Sequence, residues 1–291
     1  MAASVLTVLY RSGLTNKTRE TAIGLLVVPL LVQMLEDISP PSSKHQAADN
    51  ELIQKDQIVK ERAPAVLAML ITDSEYLQKA AFDAGIISKL SKMLKVSYDP
   101  VVENSQLDAW SPHVAESSSE MDSSQTTEFD TQGQAPLLVH RIKVRESALK
   151  AIAALVPFKD DYRKAIVDQG MIPYIVESMN PSPGKPTPKV GDKSDSATKG
   201  QNDEENSEGY GKNPVTVLIA ACGAIRALSR SVSILRTTLI DNGVAVPVFS
   251  LLKHPDIEVQ IAATATMCNL VTDISPMREV RISTLYDNPS L

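Results

Sequence analysis

Residues 142–179 read IKVRESALKAIAALVPFKDDYRKAIVDQGMIPYIVESM, and three helix signals follow one another within them. Ile142, Leu149, Ile152 and Val156 are spaced by 7, 3 and 4, which places them on one face of a helix. Pro157 ends that helix. Asp160 and Asp161 suit the cap and first turn of a second helix carrying Tyr162, Ala165 and Ile166. Gly170 then stands where a helix stop wants a left-handed residue. Met171, Ile172, Ile175 and Val176 make a short third helix, with Pro173 tolerated in its first turn. Such a unit is apolar on too many faces to stand alone, so it needs neighbours.

The neighbours are copies of itself. Sliding residues 59–90 by 85 positions lays them on 144–175 without a gap, so that Ala63 meets Ala148, Leu67 meets Ile152 and Gly85 meets Gly170. A slide of 73 takes residues 144–170 onto 217–243, and Gly170 meets Gly243. A slide of 42 takes 217–228 onto 259–270. A 42-residue period falls in the range of roughly 40–47 expected for HEAT and armadillo repeats. The larger offsets are one period plus an insertion, 85 − 42 = 43 and 73 − 42 = 31.

The insertions are visible in composition. Residues 98–136 include ESSSEMDSSQTTEFD, residues 181–213 include SPGKPTPKVGDKSDSATKG, and a shorter insertion covers 39–50. All three read as disordered loops. Each follows the helix after a unit's glycine and precedes the long helix that opens the next unit. In the last full unit this connection is only Lys253-His254-Pro255-Asp256. Equivalent loops of a solenoid leave from one edge, so the insertions should fringe one side. The expected units are 4–16 (partial), 17–73, 74–157, 158–230, 231–274 and 275–291 (truncated).

Residues 251–273, LLKHPDIEVQIAATATMCNLVTD, resemble the armadillo consensus. Glu258-Val259-Gln260, Ala262-Ala263 and Asn269-Leu270 match it position by position. The resemblance implies an all-α, right-handed superhelical armadillo solenoid interrupted by disordered loop insertions.

Composition and chemistry narrow the function. Net charge is −6 and aromatic residues make up 4%, which suits stacked aliphatic helices and argues against a broad nucleic-acid face. Cys222 and Cys268 lie in apolar helical runs and read as small core residues of a protein from a reducing compartment. The longest apolar run, 22–35, is broken by Pro29 and Gln33 and is too short to span a bilayer. The first ten residues lack the features of a signal peptide, so a soluble, intracellular protein without membrane insertion is expected. His45, His113, His140 and His254 are scattered, and no metal, phosphate or nucleophile motif occurs. No catalytic, cofactor-binding or metal-ligating residue is assigned, no cofactor is expected, and the chain is read as not an enzyme. The Ser-rich run around Ser117–Ser119, Ser123 and Ser124 would add negative charge if phosphorylated.

Armadillo import receptors grip basic peptides with a ladder of Trp and Asn on their third helices. Here Ala65, Lys150, Gly223 and Ala265 stand at the Trp positions, and Met69, Ala154, Ala227 and Asn269 at the Asn positions. Lys150 would repel basic cargo. The partner groove is therefore assigned to Glu146, Lys150, Arg226 and Asn269, with Asn269 expected to cap a helix or bond to backbone.

Residues 142–179 and 268–280 (CNLVTDISPMREV) are similar to a narrower family. It is the armadillo-repeat subunit of the GID/CTLH ubiquitin ligase, called a vacuolar import and degradation protein in fungi. That resemblance implies a non-catalytic scaffold of cytoplasm and nucleus. It would dock on ligase core subunits and, where the full-length chain is present, hold a substrate receptor in its concave groove. The ligase marks metabolic enzymes, gluconeogenic ones in yeast, for proteasomal degradation. The alternative is an armadillo adaptor in nuclear transport, vesicle trafficking or adhesion signalling. One period beyond Gly243 is Leu285, and Tyr286-Asp287-Asn288-Pro289 does not continue a helix pair. The chain is thus expected to be a truncated N-terminal part, lacking the receptor site and prone to self-association.

Overall fold

Gly85, Gly170 and Gly243 have φ of +78°, +65° and +78°, and each separates two helices of a repeating unit. At Gly170 the stop is a Schellman motif: Gly170 N donates to Val167 O at 2.8 Å and Met171 N to Ile166 O at 3.3 Å. Gly243 and Val244 repeat it with Ile240 and Leu239 at 2.8 and 3.2 Å. A side chain at φ near +65° would be strained even in open space.

The computed structural model describes residues 2–11, 17–36, 46–100, 136–186, 208–230 and 234–271. Among them run α1 (Ala2–Arg11), α2 (Lys17–Ala22), a π-helical turn (Ile23–Val27) leading into α3 (Val28–Gln33), and α4 (Gln46–Ile71). Then follow α5 (Glu75–Asp83), α6 (Ile86–Val96), α7 (Pro136–Leu155), α8 (Asp160–Asp168) and α9 (Ile172–Glu177). A 3-10 turn (Glu208–Tyr210) leads to α10 (Val215–Leu228), α11 (Ile234–Asp241), α12 (Ala245–Leu251) and α13 (Ile257–Leu270). No strand occurs among the described residues.

The long helices α4, α7, α10 and α13 stack in sequence and make the most extensive contacts among the described residues. The pairs α5–α6, α8–α9 and α11–α12 flank them. Repeat-equivalent positions fill the core: Ala148, Ala221 and Ala263 are all fully buried, as are Leu155, Leu228 and Leu270 to within 1%. Small residues at the crossings let the helix axes come close. A Cβ added at Gly223 would lie 3.7 Å from Ala153 Cβ, an ordinary contact.

The three long connections, α3 to α4, α6 to α7 and α9 to α10, lie at the same step of the unit, as the offsets imply. The fourth is tight. Asp256 caps α13, its Oδ1 accepting from Glu258 N at 2.8 Å and Val259 N at 3.3 Å.

Several boundaries differ from the sequence reading. Helix α4 begins at Gln46, so residues 46–50 of the expected first insertion are helical. Tyr98 is buried at the start of the second insertion, and Tyr210 and Asn213 are buried at the end of the third. Composition assigns such residues to loops because their partners lie far away in sequence. Asp160 sits in the first turn of α8 rather than at its cap, which is Lys159; Asp160 Oδ1 accepts from Arg163 Nη1 at 2.5 Å. Cys222 is buried as expected, but Cys268 is exposed, because the buried face of α13 is made by Val259, Ala263, Thr266 and Leu270 and does not include it. The centres of the insertions, the Ser-rich run and the expected truncated unit 275–291 lie outside the described residues.

Candidate partner-binding groove

Each long helix leaves a stripe of residues open. On α7 the stripe is Lys143, Glu146 and Lys150, spaced by 3 and 4 and hence on one face. On α4 it includes Glu61, Arg62 and Ala65, and on α10 Thr216, Gly223 and Arg226. Side chains link the stripes into one surface. Glu61 Oε1 accepts from His140 Nδ1 at 2.8 Å in the tautomer that carries the proton there, and its Oε2 lies 3.9 Å from Lys143 Nζ. Glu61, Arg62, Ala65, Lys143, Glu146 and Ser147 line a hollow of about 210 Å³ between α4 and α7. Glu146 accepts from Lys150 Nζ at 2.5 Å and from Thr216 Oγ1 at 2.8 Å, joining α7 to α10. Asn269 Nδ2 donates to Arg226 O at 3.1 Å, joining α10 to α13.

Charge is layered in this groove. The carboxylate side chains of Glu61 and Glu146 are 18% and 20% exposed, whereas the lysines above them, Lys143 and Lys150, are 58% and 47% exposed. Arg62 and Arg226 are exposed too. The acids therefore lie low and the cations stand outward. Exposed ion pairs of this kind contribute about 0–1 kcal/mol each, so the arrangement matters more to a ligand than to the fold.

On its other side α7 carries a contrasting site. Arg145 is fully buried. Its Nη1 donates to Asn213 Oδ1 at 2.5 Å, and its Nη2 donates to Ser97 O at 2.8 Å and Tyr210 O at 3.3 Å. The guanidinium carbon lies 3.9 Å from the centre of the Tyr98 ring, a cation–π contact. Tyr98 Oη and Ser178 Oγ share a hydrogen bond of 2.7 Å, and Asn213 Nδ2 donates to Asn180 O at 2.8 Å. Burial lowers the pKa of Arg145 and raises that of Tyr98. This clasp fastens the start of one insertion to the end of the next.

The structure brings the four sequence-assigned groove residues into two adjacent pairs. Glu146 and Lys150 form an ion pair on α7. Asn269 holds Arg226 through its backbone, the backbone bond expected of it, and leaves the Arg226 side chain outward. Sequence reading missed Arg62 and Lys143. The 3-and-4 spacing of Lys143 with Glu146 and Lys150 is the signal that could have found Lys143; Arg62 has no charged counterpart, since its equivalents are Ser147 and Ala220.

A second cleft, about 340 Å³, includes Lys95, Gly170, Pro173, Tyr174, Pro186 and Thr238 in its wall. Lys95 Nζ there donates to Gln169 O at 2.7 Å. Among the described residues no group of three or more His, Cys, Asp or Glu could hold a metal ion. No helix among them is long and apolar enough to cross a membrane.

Comparison with known proteins gives a consistent picture. No family model matches the chain. GID complex subunit 5 of Schizosaccharomyces pombe is 29% identical over 286 residues, which cover 98% of this chain and 28% of that protein. Armadillo repeat-containing protein 8 of Danio rerio is 29% identical over 143 residues, covering 49% of this chain and 17% of that protein. The chain thus spans little more than a quarter of the length of the fission-yeast relative. Among solved structures, a computationally designed armadillo repeat protein for modular peptide recognition matches with a TM-score of 0.51 and 17% identity, over 92% of this chain and 73% of that one. The fold is an armadillo solenoid, and the resemblance to the GID subunit holds along nearly the whole chain.

Proposed function

We propose that this armadillo solenoid is a non-catalytic scaffold of a multi-subunit ubiquitin ligase of the GID/CTLH kind. The observation that carries the proposal is collinear similarity to GID complex subunit 5 over 98% of the chain. On this reading the solenoid docks on ligase core subunits in cytoplasm and nucleus, and would hold a substrate receptor where the full-length chain is present. The assembly then promotes proteasomal degradation of metabolic, gluconeogenic enzymes. Glu146, Lys150, Arg226 and Asn269 belong to the surface that meets a protein partner. The groove supports a binding role: its charged groups are arranged as exposed cations above paired carboxylates, with small residues between them.

Affinity capture of the tagged chain from its native cells, read by mass spectrometry, tests the proposal. Ligase core subunits should co-purify. Recovery of nuclear-transport or membrane-trafficking proteins without any ligase subunit would overturn it in favour of a different armadillo adaptor.

A further inference from the structure

We infer that the groove over α4, α7 and α10 takes an extended, carboxylate-rich peptide segment of another protein. The inference stands on the groove's own charges and does not depend on which assembly the scaffold joins. Four cations, Arg62, Lys143, Lys150 and Arg226, stand exposed along it. Its two carboxylates, Glu61 and Glu146, lie lower and are already engaged by His140 and Lys143, and by Lys150 and Thr216. Four positive charges against two negative leave a local excess of +2 on a chain whose net charge is −6. A basic segment laid here would be repelled, and an acidic one attracted.

The floor fits a main chain rather than bulky anchors. Ala65, Ala153 and Gly223 are partly exposed along it, and no aromatic ring lies among these residues. Recognition therefore rests on charge, which makes it sensitive to salt. Spacing agrees with this. Lys143 and Lys150 are about 10 Å apart along α7, and neighbouring stacked helices lie roughly 8–10 Å apart. An extended peptide advances about 3.3 Å per residue, so carboxylates about three residues apart can meet successive cations. The cationic stretch ends at Arg226. The residue equivalent to Lys143 on α13 is Glu258, which is exposed.

The test uses the full chain and fluorescein-labelled peptides of about twelve residues carrying Glu, Gln or Lys at every third position. Fluorescence anisotropy should show the Glu peptide binding at least about tenfold more tightly than the Gln and Lys peptides, with the advantage falling as salt rises. The triple variant Arg62→Glu, Lys143→Glu, Arg226→Glu should lose the Glu peptide by about tenfold or more and gain the Lys peptide. Circular dichroism should match the parent. If that variant fails to fold, Arg62→Gln, Lys143→Gln, Arg226→Gln gives the same loss without the gain. Equal binding of the Glu and Lys peptides, or undiminished Glu-peptide binding by a folded charge variant, overturns the inference. Residues 101–135 carry seven Asp or Glu and no Lys or Arg. Zero-length crosslinks from Lys143 or Lys150 to those carboxylates within one chain would assign the groove to that segment and likewise overturn the inference.

Discussion

Arg145 and Lys150 lie on the same helix, little more than one turn apart, and do opposite things. Arg145 is fully buried and donates to three acceptors on two other parts of the chain. Lys150 is 47% exposed and pairs with Glu146 on its own helix. One cation is consumed by the architecture, and the other is displayed by it. The difference teaches where to look for function in a solenoid. Charges locked into the stack hold the insertion ends in place, while charges on the open stripe are available to a partner.

Removing the buried cation should have the largest effect. Arg145→Met leaves Ser97 O, Tyr210 O and Asn213 Oδ1 without their donor, and each unpaired buried acceptor costs about 1–3 kcal/mol. A total loss of about 3 kcal/mol or more is expected in urea unfolding. A loss below about 1 kcal/mol would mean that the clasp is ornamental and the comparison misplaced. Asn213→Ala tests the same clasp from its other side, because Asn213 both receives Arg145 and donates to Asn180 O. It should cost about 1–3 kcal/mol by the same assay.

Helix α10 repeats the contrast, with Cys222 inside and Arg226 outside. Burial pushes the Cys222 thiol up to about 11 from its ordinary 9.0. The unfolded chain then loses this proton first. Stability from this group is therefore complete below about pH 9 and declines as pH rises through 11, by about 3 kcal/mol at most. The stability of Cys222→Ala should fall less steeply than the parent's over that window in chemical denaturation at stepped pH; parallel curves would contradict the burial of the thiol. Lys150→Ala should change stability least, by about 0.5 kcal/mol or less, since it removes one exposed pair. A loss above about 2 kcal/mol would show that the open stripe is structural after all.

The sequence makes the helices legible because their signals are local or periodic. Apolar spacing marks α7, the glycines mark the stops, and self-comparison places all the long connections at one step of the unit. The clasp could not be read that way. Arg145, Tyr98 and Asn213 are brought together across 47 and 68 residues of chain, and two of the three stand at the ends of segments whose composition reads as loop. The groove was half legible. Repeat alignment finds Lys150 and Asn269 because a ladder position marks them, but it passes over Arg62, whose equivalents are uncharged. Exposure decides that residue's place, and exposure is a tertiary property. Cys268 was misread for the same reason: an apolar run does not tell which side of α13 is covered.

The central claim is that this chain acts through what its open stripe holds. Parallel affinity capture with the parent chain and with the folded Arg62→Glu, Lys143→Glu, Arg226→Glu variant tests it most directly, with partners quantified by mass spectrometry and thermal unfolding measured on both. The account predicts similar thermal midpoints and a loss of at least one captured partner from the variant. Capture of the same partners in the same yield by both chains would contradict it.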